Sequence, residues 1–426
     1  MTNQALLERR YNVLGKASPL FYQRPLQFVR GEGVWLYDAD GKRYLDAYNN
    51  VPHVGHCHPQ VVEALCRQAG KLNTHTRYLD ETIIEYGEKL VSKFDPSLSR
   101  VHLCCTGTES NELALRIART CTGASGIIVS DFAYHGNSKT VAEISSAFPN
   151  PEGVGADVRV VTVPDVYRLR PGVDAASAAE DYAKDVAAAI EDMAANGIKP
   201  AALLVDTIFS CEGLPTVPAG YLEKAVDLVR AAGGLYIADE VQPGFGRTGT
   251  AMWGYEQYDV VPDIVTMGKP MGNGHPLAGV VVRPDLMDAF GKETTYFNTF
   301  GGNPVSCAVG LAVLDVIERE GLMENANTVG NYAREGLRKL ADRHDIIGDV
   351  RGPGLFFGAE MVRDRQTREP ATEETGTIIN AMRERGIIIS RTGRADNVLK
   401  IRPPMPFSKD NADFLLSALD ETLQAL

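Results

Sequence analysis

Short apolar runs alternate with amphipathic stretches over most of the chain. Seven runs of four to six residues lie at 101–105, 126–130, 158–163, 202–206, 235–239, 264–267 and 278–282. The stretches between them include 175–196 and 221–232, where apolar positions recur at helical spacing. Strands that alternate with helices in this way form a mostly parallel sheet with helices on both faces. We therefore predict an α/β fold whose large domain is built on a mostly parallel seven-stranded sheet.

The two ends of the chain show a different pattern. Two apolar patches in residues 34–44 flank Asp40-Gly41, a dipeptide that favours hairpin turns. After Asn303-Pro304 a helical stretch runs to residue 320, and strands at 349–362 and 386–390 and a closing helix at 411–426 follow. We expect a smaller α+β domain from both termini, formed by 1–65 and 306–426, around a large domain at 66–305.

Composition narrows the classes of protein that fit this pattern. A chain of 426 residues exceeds the size at which one core keeps growing. No apolar run approaches the roughly 20 residues that span a bilayer, so we predict no membrane partner. The net charge of −12, without a basic stripe, argues against a nucleic-acid partner. Seven cysteines and a start without a secretory signal pattern favour reduced thiols and a cytoplasmic location.

Two charged residues at predicted strand ends are the first candidates for chemistry, because ligands bind there in sheets of this kind. Asp239 requires a cationic partner, and the pyridine nitrogen of pyridoxal phosphate is one. The alternative is a buried aspartate that caps a helix or pairs with Arg247. Lys269 precedes a turn-rich loop, and desolvation would make its amine nucleophilic towards an aldehyde. The alternative for Lys269 is a solvated loop residue.

A candidate phosphate site follows the run 101–105. There Thr106-Gly107-Thr108 opens a predicted helix, so that unpaired N–H groups and the positive end of the helix dipole would face an anion. The alternative is an ordinary capping box, in which Thr106 and Glu109 satisfy each other's N–H groups.

Other residues suit a flat, phosphorylated ring. Tyr134 offers an aromatic face and Val241 could press on the opposite side, although an aromatic residue beside a strand can equally belong to the core. Thr299, followed by a glycine pair, offers a second phosphate contact. The cluster His56-Cys57-His58 has no second ligand set near it in sequence, and we predict no metal site.

Five motifs in one order carry a resemblance to a known family. They are GTESNE at 107–112, YHG at 134–136, DEVQ at 239–242, GK at 268–269 and TFGGNP at 299–304. Together they strongly resemble the class III (ornithine/ω-type) aminotransferases of pyridoxal-phosphate fold type I, over about residues 37–407.

The resemblance implies pyridoxal 5′-phosphate as cofactor and a role for each matching residue. Lys269 would hold the cofactor as a Schiff base, and Asp239 would pair with the pyridine nitrogen. Gln242 would contact the ring hydroxyl, and Tyr134 would stack on the ring. Gly107 and Thr108 would bind the phosphate from one subunit and Thr299 from the other, which implies a homodimer with shared active sites.

A closer resemblance concerns the substrate. Residues 48–59, 267–276 and 298–310 look like the alanine–glyoxylate-aminotransferase-2-like subgroup, which includes phospholyases acting on phosphoethanolamine and phosphohydroxylysine. We predict transfer of an amino group from an amine or an ω- or β-amino compound to a 2-oxo acid or aldehyde. The alternative is β-elimination of phosphate from a phosphoethanolamine-like amine.

Two departures from the family pattern bear on this choice. Asp206 stands where the family has a glutamate that pairs with a substrate-binding arginine, and Lys400 stands where the carboxylate-binding arginine is expected. A lysine is not equivalent to an arginine for a planar carboxylate. Arg391, Arg394 and Arg402 are candidates to bind an anion instead, and the alternative is that all three are surface charges. Arg77 is another candidate, at the pocket entrance.

Overall fold

The computed structural model describes residues 3–151 and 153–426. Within them the helices are α1 (Asn3–Leu14), α2 (Pro59–Ala69), α3 (Glu81–Val91), α4 (Gly107–Thr122), α5 (Lys139–Ala142), α6 (Ala178–Ala195), α7 (Tyr221–Ala231), α8 (Pro284–Glu293), α9 (Pro304–Arg319), α10 (Leu322–Ala341), α11 (Thr372–Glu384) and α12 (Lys409–Gln424). The strands are β1 (Phe28–Glu32), β2 (Trp35–Asp38), β3 (Arg43–Asp46), β4 (Arg100–Cys104), β5 (Gly126–Ser130), β6 (Val158–Val161), β7 (Pro200–Asp206), β8 (Leu235–Asp239), β9 (Ile264–Met267), β10 (Ala278–Val282), β11 (Ile347–Arg351), β12 (Phe357–Asp364), β13 (Glu369–Pro370), β14 (Ile387–Ile388), β15 (Ser390–Thr392) and β16 (Val398–Ile401).

The large sheet has seven strands in the order β4-β10-β9-β8-β7-β5-β6. All neighbouring pairs are parallel except those of β10, which runs antiparallel to both β4 and β9. Every residue of β5, β7 and β10 is buried. Continuous apolar strands are expected where helices cover both faces of a sheet. The prediction of a mostly parallel seven-stranded sheet is therefore confirmed.

A second sheet joins the two ends of the chain. Strands β1, β2 and β3 form an antiparallel meander, and β14 pairs parallel with β3. The third sheet has the order β11-β12-β16-β15, with β13 paired to β12. These two sheets, with the helices around them, form the smaller α+β part that was predicted from both termini. The domain boundaries at residues 65 and 305 stay a prediction.

Two sequence predictions in this smaller part were wrong in detail. The strand predicted at 349–362 is two antiparallel strands, β11 and β12. Gly352 and Gly354 lie in the turn between them with φ of 103° and 47°, values that glycine adopts at low cost. The strand predicted at 386–390 contributes to two different sheets, through β14 and β15. Apolar runs alone did not reveal where the chain reverses or changes sheet.

Among the described residues, no helix is both long enough and apolar enough to cross a bilayer.

Candidate active site

The carboxyl ends of three neighbouring strands meet at one edge of the large sheet. In the strand register Asp206 of β7 lies opposite Asp239 of β8, and Asp239 lies opposite Thr266 of β9. A cavity of about 380 Å³ opens beyond these ends. Its lining includes Lys269, Asp239, Asp206, Gly107, Thr108, Tyr134, Val241 and Gln242. The structure thus brings together seven of the eight predicted cofactor residues, all but Thr299.

Lys269 begins a short 3₁₀ turn directly after β9 and has a φ of 22°. A positive φ in a residue other than glycine costs on the order of 1–3 kcal/mol and persists only where its surroundings impose it. Burial lowers the pKa of the Lys269 amine, and the charge of Arg402 lowers it further, while Asp239 opposes the shift. The neutral, nucleophilic amine is thereby favoured. The alternative of a solvated loop lysine does not fit this position.

Asp239 is held by side chains from two other elements. His135 Nδ1 lies 2.7 Å from Asp239 Oδ2, and Asn111 Nδ2 donates to the same oxygen at 3.0 Å. The Val241 N–H donates to Oδ1 at 3.0 Å. Because a carboxylate only accepts, the hydrogen of the His135 contact is on Nδ1. Sequence reasoning did not assign His135 or Asn111, although both lie inside the quoted motifs YHG and GTESNE.

The proposed pairing of Asp239 with Arg247 is excluded. Arg247 is fully buried and donates to the carbonyl oxygens of Leu355 and Pro403 at 2.9 and 2.8 Å. Its second terminal nitrogen contacts His53 Nδ1 at 3.1 Å. Among the described residues, Asp239 therefore has no lysine or arginine as its partner, and His135 is the basic side chain that contacts it.

The candidate phosphate site is the first turn of α4. The capping box is present, since Thr106 Oγ1 accepts from the Glu109 N–H and the Glu109 carboxylate accepts from the Thr106 N–H. This does not compete with an anion site, because the N–H groups of Gly107 and Thr108 have no intrahelical partner at this position. Both residues line the cavity. The two interpretations of this segment are compatible.

Close packing around this turn excludes larger residues. A Cβ atom on Gly136, whose φ is 149°, would lie 2.5 Å from Thr108 Oγ1. A Cβ atom on Gly107 would lie 2.9 Å from Val241 Cγ1.

The cavity combines an amine, an ionisable carboxylate, a helix N-terminus and an aromatic residue. These groups match the aldehyde, the ring nitrogen, the phosphate and the ring face of pyridoxal phosphate, so the residues fit this cofactor.

Three predicted residues lie away from the cavity of their own chain. Thr299 is exposed. Arg77 is also exposed, and its guanidinium carbon lies 3.8 Å from the centre of the Phe297 ring. Arg391 donates to the Thr372 carbonyl oxygen at 3.3 Å and pairs with Asp396 at 3.3 Å.

Lys400 and Arg402 are buried beside the cavity without lining it. Arg402 donates to Gln242 Oε1 and lies 4.5 Å from the centre of the Tyr48 ring. Burial lowers the pKa of Lys400 to about 8, against a raising effect of the Cys211 thiol. Lys400 has no carboxylate within 4.0 Å among the ion pairs of the described residues.

Asp206 is used within its own loop. Its Oδ1 accepts from the Ile208 N–H at 3.1 Å, and its Oδ2 accepts from the N–H and the hydroxyl of Ser210. Burial and then the charge of Asp239 raise the pKa of the Asp206 carboxyl. Asp206 therefore does not pair with Lys400 or Arg402. In this it differs from the glutamate that the resemblance leads us to expect here, which would pair with an arginine.

The histidines of the His56-Cys57-His58 cluster have separate partners. His56 Nε2 lies 2.7 Å from Asp46 Oδ2, and His58 Nε2 lies 3.1 Å from Glu320 Oε1. The two rings thus do not converge on a common point.

The fold and the cavity together define a pyridoxal-phosphate enzyme of fold type I. The chain belongs to the family described as Aminotransferase class-III, whose pattern matches residues 21–423. It is similar to a protein named alanine–glyoxylate aminotransferase 2-like from Drosophila melanogaster, with 42% identity over 99% of this chain and 87% of that one. It is 38% identical to ethanolamine-phosphate phospho-lyase homolog 1 from Caenorhabditis elegans, over 99% of this chain and 94% of that one. Among solved structures, a phospholyase from Arthrobacter in complex with phosphoethanolamine has a TM-score of 0.96 and 51% identity, covering 99% of this chain and 100% of that one.

Proposed function

We propose that this enzyme eliminates phosphate from a small phosphorylated amine of the phosphoethanolamine class and that, with uptake of one water molecule, an aldehyde, ammonia and inorganic phosphate are released. The observation that carries the proposal is Lys400, a buried cation beside the site at the position where the family's carboxylate-binding arginine is expected. A lysine ammonium binds phosphate as a point charge, but it lacks the fork with which a guanidinium pairs with a planar carboxylate. The similarity to a phospholyase bound to phosphoethanolamine supports the same substrate class.

The chain's own residues account for the first part of the reaction. Pyridoxal phosphate, when bound, supplies an aldehyde that condenses with amines and a ring that accepts an electron pair. Lys269 would hold this aldehyde and, once released, its neutral amine takes the proton from the carbon that bears nitrogen. Asp239, fixed by His135 and Asn111, keeps the ring nitrogen protonated. The positive charges of Lys400 and Arg402, buried beside the cavity, would attract the anionic end of the substrate and stabilise the phosphate that leaves with the electrons of the C–O bond.

Transamination is the second candidate, and the similarity to an alanine–glyoxylate aminotransferase 2-like protein favours it. Both reactions share Lys269 and Asp239 up to removal of the proton. They differ in what the enzyme does with an amine substrate alone. Holoenzyme incubated with phosphoethanolamine and no keto acid should release inorganic phosphate over many turnovers, with the cofactor absorbance retained. A single turnover that converts the cofactor to its amine form, without phosphate release, would instead establish transamination.

Lys400 provides a direct test of the substrate class. Lys400→Met removes one of the two positive charges buried beside the cavity, and a charge-assisted interaction is worth roughly 10- to 100-fold in binding. We expect the KM for phosphoethanolamine to rise by about this factor. Lys339→Met is the matched control, because Lys339 is an exposed lysine paired with Glu335 on α10, and its KM should equal that of the wild type. An unchanged KM in Lys400→Met would contradict the proposal.

We also propose that the enzyme is a cytoplasmic homodimer with shared active sites. Thr299 is exposed and does not line the cavity of its own chain, and the neighbouring Phe300 side chain is 70% exposed. An exposed aromatic residue beside a predicted phosphate ligand is consistent with a contact made by a second copy. Mixing Lys269→Ala and Thr299→Ala subunits should regenerate one intact site per mixed dimer and raise activity above that of either variant. No gain on mixing, after exchange of subunits has been demonstrated, would refute sharing.

A further inference from the structure

Four buried side chains form a hydrogen-bonded chain between the smaller part of the molecule and the floor of the cavity. Arg402 follows β16 and donates to Gln242 Oε1, Gln242 Nε2 donates to Ser210 Oγ, and Ser210 Oγ donates to Asp206 Oδ2. Ser210 has no exposed surface, and the other three are at most 8% exposed. Gln242 and Asp206 line the cavity, whereas Ser210 and Arg402 do not.

The two ends of this hydrogen-bonded series, Arg402 and Asp206, determine which atom donates in each of its hydrogen bonds. A guanidinium only donates, so the Gln242 atom that faces Arg402 is the oxygen. The nitrogen of the same amide then faces Ser210, whose oxygen accepts from it. The Asp206 carboxylate already accepts from the N–H groups of Ile208 and Ser210, and it accepts the Ser210 hydroxyl hydrogen as well.

The orientation of the Gln242 amide determines whether it offers a donor or an acceptor to the cavity. Its oxygen is engaged by Arg402, and one amide hydrogen is engaged by Ser210. The amide nitrogen is 3.7 Å from Cys211 Sγ, and sulfur is only a weak acceptor. Because the second amide hydrogen is donated only to this weak acceptor, it can be given instead to an oxygen atom in the cavity.

We propose that Ser210 is a positioning residue that makes Gln242 present a hydrogen-bond donor, rather than an acceptor, to the cofactor's ring oxygen. Without the Ser210 hydroxyl, the Gln242 nitrogen loses its acceptor and Asp206 loses a donor, so the amide is held only through its oxygen by Arg402 and its N–H groups are no longer aimed in one direction. An amide donor stabilises negative charge on a ring oxygen, whereas an amide oxygen there would repel it. The proposal goes beyond the proposed function, because it holds equally for elimination and for transamination.

Ser210→Ala tests the proposal through the bound cofactor. We expect a shifted cofactor absorbance band, pyridoxal-phosphate binding weaker by on the order of tenfold, and kcat lowered with a smaller change in KM. Ser210→Thr retains the hydroxyl and should restore the band. Thr375→Val is the matched control, because it removes a buried hydroxyl that donates to the Ala371 carbonyl oxygen within α11, and it should leave band and affinity unchanged.

A double-mutant cycle separates positioning from a structural role. Gln242→Met removes the amide through which Ser210 acts, so adding Ser210→Ala in that background should change the band and the cofactor affinity no further. Additive effects, or a Ser210→Ala enzyme with the wild-type band and affinity, would overturn the proposal. If Ser210→Ala does not fold, Ser210→Cys replaces the hydroxyl by a weak donor and acceptor of similar size, and a band and cofactor affinity equal to those of the wild type would then overturn the proposal.

Discussion

Asp239 is fixed by residues that are distant in sequence. His135 and Asn111, which fix Asp239, are 104 and 128 positions away from it. The sequence supplied Lys269 and Asp239 because both follow apolar runs at strand ends. It did not supply their partners, because no local pattern indicates which side chain reaches a strand end from another element.

Asp239→Asn tests the importance of charge at this position. The amide keeps the size of the side chain but cannot hold a proton on the ring nitrogen, so we expect kcat to fall by about 100-fold or more. The thermal unfolding of the protein should change little in comparison. Asp285→Asn is the control, since Asp285 lies on the surface in an ion pair with Arg283, and its activity should match that of the wild type. Steady-state kinetics of both variants measure the effect on kcat. A fully active Asp239→Asn would refute the role of the Asp239 charge.

At the scale of elements, alternating apolar runs predicted all seven strands of the large sheet, and amphipathic spacing predicted α6 and α7 between them. This works because a buried strand or an amphipathic helix is encoded within five to twenty neighbouring residues. The direction of β10 was not predictable, because an apolar run carries no information about which way it pairs. Contacts between elements were equally hidden in the sequence, and α10 gives an example.

Gly330 of α10 packs directly against the turn between β11 and β12. A Cβ atom at this position would lie 1.9 Å from the Gly354 carbonyl oxygen. Gly330→Ala should therefore lower the free energy of unfolding by about 1–3 kcal/mol, although alanine is the better helix former. Gly291→Ala in α8 is the matched control, because nothing lies within 4 Å of its Cβ position, and it should stabilise by up to about 1 kcal/mol. Urea unfolding of both variants checks the prediction, and two changes of the same sign would contradict it.

At the scale of the whole molecule, buried ion pairs connect the large sheet to the smaller part. Glu360 of β12 binds Arg351 of β11 at 2.5 Å and also Arg168, which follows β6. Arg351 donates in turn to the Gly213 carbonyl oxygen, beyond β7, at 2.9 and 3.1 Å. This network fixes the loop after β7, and with it Ser210 and Asp206, relative to the smaller part.

Glu360→Gln should destabilise the whole enzyme, because it leaves Arg351 buried without its full counter-charge. We expect a loss of about 3 kcal/mol or more in the free energy of unfolding. Glu335→Gln, which affects an exposed pair with Lys339, should cost less than about 1 kcal/mol. Denaturant unfolding at neutral pH measures both, and equal losses would refute the prediction.

The stability lost in Glu360→Gln should depend on pH. Burial opposes ionisation of Glu360, but the charges of Arg351 and Arg168 outweigh it and hold the pKa of this carboxyl below its ordinary value. The stabilising contribution is therefore complete above the unfolded-state pKa of about 4.3 and is lost as the pH falls through the lower folded-state pKa. The difference in stability between wild type and Glu360→Gln should narrow on acidification. A stability difference between the two proteins that grows below pH of about 4 would contradict this prediction.

The sequence alone determined the α/β class, the strand ends that carry Lys269 and Asp239, and the glycine-containing turn at the start of α4. These features are encoded in short spans, where periodicity and turn residues act locally. Only the tertiary structure decided that Asp206 bonds to Ser210, that Lys400 is buried with no ion pair to another described residue, and that His135 holds Asp239. Those outcomes depend on which side chains, distant in sequence, are buried together. In a low-dielectric interior a buried charge or polar group is stable only with hydrogen-bond partners, and packing determines which partners are within reach.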